Sequence, residues 1–130
     1  LALLESLGER RSYEPATPIV RRGEAADAIY FLMAGEVSVT VEVGGGGEAR
    51  RLSTLSPGMG FGEAAVIARG VRSADVRADT AVACHVLGAE AFRSLEQTRP
   101  SLLIRLLHNL LQSANRTTLR LTREVAALEG

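Results

Sequence analysis

A succession of short apolar runs between residues 16 and 88, each ended by glycine or another turn residue, constrains the fold most. The segment EVSVTVEV alternates strictly, so its four valines lie on one face of an extended strand. The tetraglycine at 44–47 predicts a flexible hairpin loop, and EARRLSTL returns as the partner strand. Many short strands separated by glycine turns predict an antiparallel β-barrel or sandwich.

Both ends of the chain carry helical periodicity. LALLESLG spaces its apolar residues by three and breaks at Gly8, which predicts a short N-terminal helix. AEAFRSLEQT predicts another short helix, and Pro100 suits the first turn of a long amphipathic one. We therefore predict a single α+β domain over residues 1–130, divided into an N-terminal helix (about 1–15), a β-roll (16–88) and two C-terminal helices (89–130).

The long C-terminal helix has two halves of different character. Its first half is apolar on more than one face, which indicates burial against the β-roll. Its second half carries a narrower apolar stripe, which fits a partner helix as well as it fits the chain's own barrel. A homodimer formed through this helix is therefore one of two open expectations.

Composition excludes several function classes. The 15 basic and 15 acidic residues cancel, so the chain has no general attraction for nucleic acid or for anionic lipid. The single cysteine, Cys84, lies in an apolar run and is predicted to be a buried, inert thiol. Two distant histidines do not predict a metal site. No stretch is long enough to span a membrane and no signal peptide is visible, so we expect a cytoplasmic chain or the cytoplasmic domain of a membrane protein. The first residue is not Met, which indicates a segment of a longer protein.

The segment FGEAAVIARGVRSA, residues 61–74, holds the candidate site. Gly62 permits close approach of the backbone, and Glu63, Ala64 and Ala65 begin a short helix whose first N–H groups have no helical acceptor. Such N–H groups attract anions. After the turn at Gly70, two further donors return, the guanidinium of Arg72 and the hydroxyl of Ser73, and a guanidinium pairs bidentately with phosphate oxygens.

Glu63 cannot face the same anion as Arg72, because like charges repel. Its carboxylate needs a hydrogen-bond donor, such as a sugar hydroxyl. A phosphate joined to a ribose meets both requirements, while a surface ion pair between Glu63 and Arg72 is the structural alternative. The residues alone leave both readings open.

Two motifs in register extend the argument to a family. FGEAAVIARGVRSA resembles the phosphate-binding cassette of cyclic nucleotide-binding domains, and GEAADAIYFLMAGEVSVT resembles the strand signature that precedes it there. The signature positions are occupied by Gly23, Asp27, Tyr30, Leu32, Gly35 and Val37. The resemblance covers essentially the whole chain and implies a jelly roll with a short cassette helix and two closing C-terminal helices. The residues after FGE are smaller than in many members, which leaves Val66 or Ile67 to contact the closing helix.

The resemblance also implies roles for individual residues. Glu63 would accept the ribose 2′-hydroxyl, and Arg72 would bind the cyclic phosphate together with Ser73 and the backbone N–H groups of Gly62, Ala64 and Ala65. An ungapped alignment with catabolite activator proteins places Thr117 and Thr118 at the base, which favours cAMP over cGMP. Arg77 is either a solvated strand residue or an ion-pair partner that orients Glu63.

The function implied by the resemblance is a regulatory sensor rather than an enzyme, since the sequence shows neither a nucleophile–base pair nor a cofactor motif. The nucleotide is a ligand and not a cofactor, and the C-terminal helix would carry the signal to a fused domain. RSADVRADT resembles versions fused to glutaminases and to sulfate-transporter-like permeases. The alternatives are a degenerate domain that binds no nucleotide and acts as an interaction module, or the sensor part of a transcription regulator. The segment has no helix-turn-helix pattern with which to bind an operator alone.

Overall fold

Eight strands form two antiparallel sheets in the computed structural model, which describes residues 7–43 and 48–113. One sheet has the order β1-β8-β3-β6 and the other the order β2-β7-β4-β5. The strands are β1 Glu9–Tyr13, β2 Pro18–Val20, β3 Ala28–Ala34, β4 Val37–Val43, β5 Glu48–Leu55, β6 Gly60–Phe61, β7 Asp75–Ala78 and β8 Val82–Gly88. The helices are α1 Glu63–Ile67, α2 Ala89–Thr98 and α3, which occupies 100–113 of the described part. This α+β jelly-roll sandwich confirms the predicted fold class.

The continuous apolar run of β3 follows from burial on both of its faces. Tyr30 and Leu32 point into the core between the sheets, whereas Ile29 and Phe31 point outward to a second core beneath the helices. A strand covered on both faces has no polar face to alternate with. The strand therefore lies between the two cores of the domain and is a rigid base for neighbouring loops.

The alternating segment forms β4, as predicted, and pairs with β5 from Val37 opposite Leu55 to Val43 opposite Glu48. The predicted tetraglycine tip, 44–47, lies outside the described residues. One irregularity, between Val39 and Thr40, shifts the register by a residue. Such bulges increase the local twist of a sheet.

The N-terminal prediction needs a correction. Residues 9–13 form β1 and not the continuation of a helix, and β1 pairs antiparallel with β8 from Glu9 opposite Val86 to Tyr13 opposite Val82. β1 completes the edge of the sheet, and its exposed side chains give no apolar alternation that a sequence pattern could reveal. The predicted helix before Gly8 lies largely outside the described residues.

Helices α2 and α3 cover the outer face of the first sheet. Leu102, Leu106 and Leu110 of α3 are nearly inaccessible and join the second core. Leu107, on the same helix, is 40% exposed and does not join this buried row. The predicted burial of the first half of the long helix is confirmed for 100–113, and its second half falls outside the described residues.

Cys84 is fully buried in the core between the sheets. Burial raises the pKa of its thiol to about 11, so the nucleophilic thiolate is scarce at neutral pH. The predicted burial of Cys84 is therefore confirmed, and its inertness stays a prediction. Within the described residues, no helix has both the length and the apolarity needed to cross a membrane.

Candidate anion-binding site

Backbone conformation sets up the cassette. Gly62 has φ +85°, a left-handed conformation that glycine adopts without strain, and the chain enters α1 directly after it. After α1 and its C-cap Ala68, Arg69 is a second left-handed residue with φ +55°, and the N–H of Gly70 closes the turn on the carbonyl of Ala65 at 2.9 Å. The chain therefore reverses within ten residues and returns beside its own entry point.

Backbone hydrogen bonds fasten the returning segment to the loop before β3. The N–H of Arg72 donates to the carbonyl of Glu24 at 2.8 Å, and the N–H of Gly23 donates to the carbonyl of Arg72 at 2.9 Å. Ala25 and Val71 form an isolated antiparallel bridge. These bonds fix the position of Arg72 against the start of β3, before any side-chain contact is considered.

The guanidinium of Arg72 is held by two backbone carbonyls. Its Nη1 donates to the carbonyl oxygen of Gly62 at 2.6 Å, and its Nη2 donates to that of Ala28 at 2.7 Å. A guanidinium has five N–H donors, so three remain for another acceptor. The Tyr30 ring lies beneath the group, 5.8 Å from centroid to guanidinium carbon, and stacks in turn on Phe61 at 5.1 Å. The orientation of the guanidinium is thereby fixed from three sides.

The positive charge of Arg72 is buried with little compensation. Its side chain is 5% exposed, and the carboxylate that pairs with it, that of Asp27, lies 3.7 Å away and is itself 86% exposed. A solvated carboxylate at that distance offsets the charge weakly. Buried charges are costly unless they are paired, so this site favours a bound anion.

Glu63 is the first residue of α1 and lines the same cavity as Arg72, with which it forms no ion pair among the described residues. Partial burial raises the pKa of its carboxyl, an effect that a hydrogen bond from its own backbone N–H and the positive charge of Arg72 oppose. The proposed surface ion pair is therefore not the arrangement observed. The carboxylate is partly shielded from bulk water, so a hydroxyl donor would lower its desolvation cost.

A cavity of about 130 Å³ lies between these groups. All six cassette residues predicted from the sequence line it, namely Gly62, Glu63, Ala64, Ala65, Arg72 and Ser73. Its apolar wall comes from residues of the inner sheet faces and the cassette, which are Val20, Val39, Phe61, Ala74 and Val76. The arrangement thus offers one cation, one carboxylate and an apolar wall to a small ligand.

Other predicted contacts fall elsewhere. Thr117 and Thr118 lie outside the described residues. Arg77 is exposed on the outer face of β7, while its neighbour Val76 faces the cavity, so the alternative of an arginine that orients Glu63 is wrong. Ile67, one of the two residues expected to contact the closing helix, has a side chain that is 56% exposed.

Sequence reasoning missed part of the site. The carbonyl of Ala28 holds Arg72, yet a backbone carbonyl leaves no mark on residue type. Asp27 and Tyr30 were noted only as positions of a strand signature, although both lie next to the guanidinium. An aspartate directly before an apolar strand, followed by a tyrosine inside that strand, was the signal that could have found them.

Comparison with known proteins agrees with this geometry. Residues 10–99 match the model of a family described as cyclic nucleotide-binding domain. Glutaminase 2 of Bradyrhizobium diazoefficiens is 36% identical over 110 residues, which are 85% of this chain and 17% of that protein. The cAMP-dependent protein kinase regulatory subunit of Yarrowia lipolytica is 38% identical over 82 residues, or 63% of this chain and 21% of the subunit.

The fold is also found in a solved regulator. The c-di-GMP-responsive global regulator CLP of Xanthomonas campestris superposes with a TM-score of 0.88 at 22% identity, covering 98% of this chain and 61% of that one. At this identity the likeness concerns the fold alone. The match to the family model covers more than half of the residues. On this evidence, the chain belongs to the cyclic nucleotide-binding domain family.

Proposed function

We propose that this chain is a sensor that binds a 3′,5′-cyclic nucleotide in the cavity between Glu63 and Arg72. The observation that carries the proposal is the buried, weakly compensated guanidinium of Arg72, which has donors left for a phosphate. Glu63 accepts a ribose hydroxyl, and Ser73 and the N–H groups of Ala64 and Ala65 complete the phosphate contacts. The domain binds the nucleotide and performs no chemistry on it.

The nucleotide is proposed to be cAMP rather than cGMP. Ser73 lines the cavity and does not by itself separate the two nucleotides, so this part of the proposal rests on the threonine pair of the C-terminal helix. The pair Thr117 and Thr118 is proposed to contact the base. Titration calorimetry with cAMP and with cGMP tests the proposal directly, and micromolar binding of cAMP with weaker binding of cGMP is expected. Failure of both nucleotides to bind at these concentrations would contradict the proposal and favour the degenerate, interaction-only alternative.

A substitution at Glu63 is expected to change stability and affinity in opposite directions. Because the folded carboxyl has a raised pKa, the folded chain holds more protons than the unfolded one between the two pKa values. The free energy of unfolding of the native chain therefore falls as pH rises through that window. Glu63→Gln removes this fall, so that the ligand-free variant melts at a higher temperature at pH 7, while its affinity for cAMP drops about tenfold.

Thermal unfolding between pH 4 and 8 and calorimetry at pH 7 measure the two effects of Glu63→Gln. Glu14→Gln, at an exposed position remote from the cavity, is the matched control and should alter neither. Equal melting curves for Glu63→Gln and the native chain across this range would show that burial of the Glu63 carboxylate does not destabilise the folded chain.

Signal transmission is proposed to pass through α3, whose described part is bonded to the loop that leads into the cassette. Nδ2 of Asn109 donates to the carbonyl of Gly58 at 2.7 Å, and the N–H of Gly60 donates to Oγ of Ser113 at 3.2 Å. Gly60 begins β6, directly before the cassette. A change in the cassette therefore has a short bonded route to the helix, and a ligand shifts the equilibrium by its difference in affinity between the two positions.

We propose that α3 passes the signal on by packing its exposed apolar face against a partner helix. Ile104, Leu107 and Leu111 are 66%, 40% and 61% exposed and follow helical spacing on the side of α3 away from the core. We expect concentration-dependent dimers in sedimentation velocity, and monomers for the double variant Ile104→Glu, Leu111→Glu. Dimers that persist in the double variant would exclude this face. A fused glutaminase or permease is the proposed host of the sensor.

A further inference from the structure

Helix α2 reaches the carboxyl end of the cassette helix through one side chain. Nη2 of Arg93 donates to the carbonyl oxygen of Val66 at 2.9 Å. The same oxygen accepts the backbone N–H of Arg69 at 3.2 Å. A cation at the carboxyl end of a helix also complements the partial negative charge there. Arg93 is therefore a second cap, supplied by a different element, on the last turn of α1.

α1 needs such contacts because it is too short to persist alone. It has five residues, and an isolated helix of that length is unstable in water. Its side-chain anchor is Val66, which is fully buried and shares the second core with Phe92 and Leu95 of α2. Helix α2 therefore helps to hold α1 through a shared apolar core and through one charged hydrogen bond.

The other end of α1 bears the groups that face the cavity. Gly62, whose carbonyl accepts from Arg72, directly precedes the helix, and Glu63 is its first residue. A rotation of α1 would displace both the carboxylate and the carbonyl that orients the guanidinium. A displacement below one ångström at such groups is enough to weaken recognition.

We propose that Arg93 is a positioning residue for nucleotide binding. It fixes the cassette helix from α2 and so sets the distance between Glu63 and Arg72, without touching the ligand itself. This inference rests on the proposed nucleotide site. It also makes α2, and not α3 alone, a place where a change in helix packing alters affinity.

The test is Arg93→Met, which keeps an unbranched apolar side chain at this position and removes the charge and the N–H donors. The dissociation constant for cAMP is expected to rise about fivefold to tenfold. Arg93→Lys, which restores a cation, should recover part of this loss. Arg99→Met is the matched control, because Arg99 is an exposed residue at the end of the same helix with no side-chain bond to the described residues. A dissociation constant unchanged in Arg93→Met overturns the proposal.

Amide hydrogen exchange of the ligand-free chain gives a second readout. The N–H groups of Ala68, Arg69 and Gly70 close the last turn of α1 on the carbonyls of Ala64, Val66 and Ala65. Their exchange should accelerate in Arg93→Met and not in Arg99→Met. If the native chain binds neither nucleotide, the proposed function is wrong. The exchange measurement still tests Arg93 in that case, because unchanged exchange in Arg93→Met would show that this side chain does not hold α1. If Arg93→Met does not fold, Arg93→Gln replaces it in both measurements.

Discussion

Arg72→Leu is expected to weaken binding of cAMP by about 100-fold or more, since a bidentate pair of charge-assisted hydrogen bonds is lost. The guanidinium is buried and still has three N–H donors beyond those held by the carbonyls of Gly62 and Ala28. Leucine supplies no donor, and the phosphate would enter a partly closed cavity without a counter-charge. Titration calorimetry measures the loss.

The control is Arg77→Leu, the same change at an exposed arginine on the outer face of β7. It should leave affinity within twofold of the native chain. Leucine at 72 also leaves two carbonyls without their donor, so each variant is first checked by its melting temperature. Arg72→Lys, which keeps the charge and loses the planar fork, is expected to fall between the two. Near-native affinity in a folded Arg72→Leu variant would show that the phosphate is bound elsewhere.

Gly35→Ala is expected to lower the free energy of unfolding by about 3 kcal/mol. Gly35 joins β3 to β4 with φ +86°, and a methyl group there would overlap the carbonyl oxygen of Ala81. Thr80, in the turn between β7 and β8, accepts the N–H of Glu36 at 3.1 Å and so ties the two turns together. The backbone at Gly35 or at Ala81 must therefore move to make room for the methyl group.

Gly23→Ala separates the two causes of this loss. Gly23 has nearly the same φ, +89°, but a methyl group would meet nothing within 4 Å. It should therefore cost about 1 kcal/mol, from conformation alone. Urea unfolding of both variants gives the comparison, and m-values equal to that of the native chain would show that the compactness of both states is retained. Equal losses at the two positions would rule out the steric contribution at Gly35.

The strands were predicted correctly where burial of one or both of their faces produces a recognisable arrangement of apolar residues. The alternation of β4 was readable because Val37 is buried in the core between the sheets and Val39, on the same face, packs against it. The apolar row of β3 is continuous because both of its faces are covered. β1 carries no such pattern, since its residues are mostly exposed and its strand conformation comes from pairing with β8, far along the chain.

The candidate site likewise has features that residue type predicts and features that only the fold creates. The cassette side chains at 62–65 and 72–73 were recognisable from residue type, and the structure gathers them around one cavity. The carbonyls that orient Arg72 could not be predicted, because every residue has one and only the fold brings those of Gly62 and Ala28 together. Arg93 looked like an ordinary helix residue until its carbonyl partner was placed beside it.

The two carbonyls that hold Arg72 also bear on the kinetics of recognition. Because they fix the guanidinium before any ligand arrives, a phosphate does not have to wait for a side chain to change rotamer. Association should then follow the rate of encounter, and anions of different shape should differ mainly in how long they remain bound. In this domain, selectivity among small anions would be expressed as residence time.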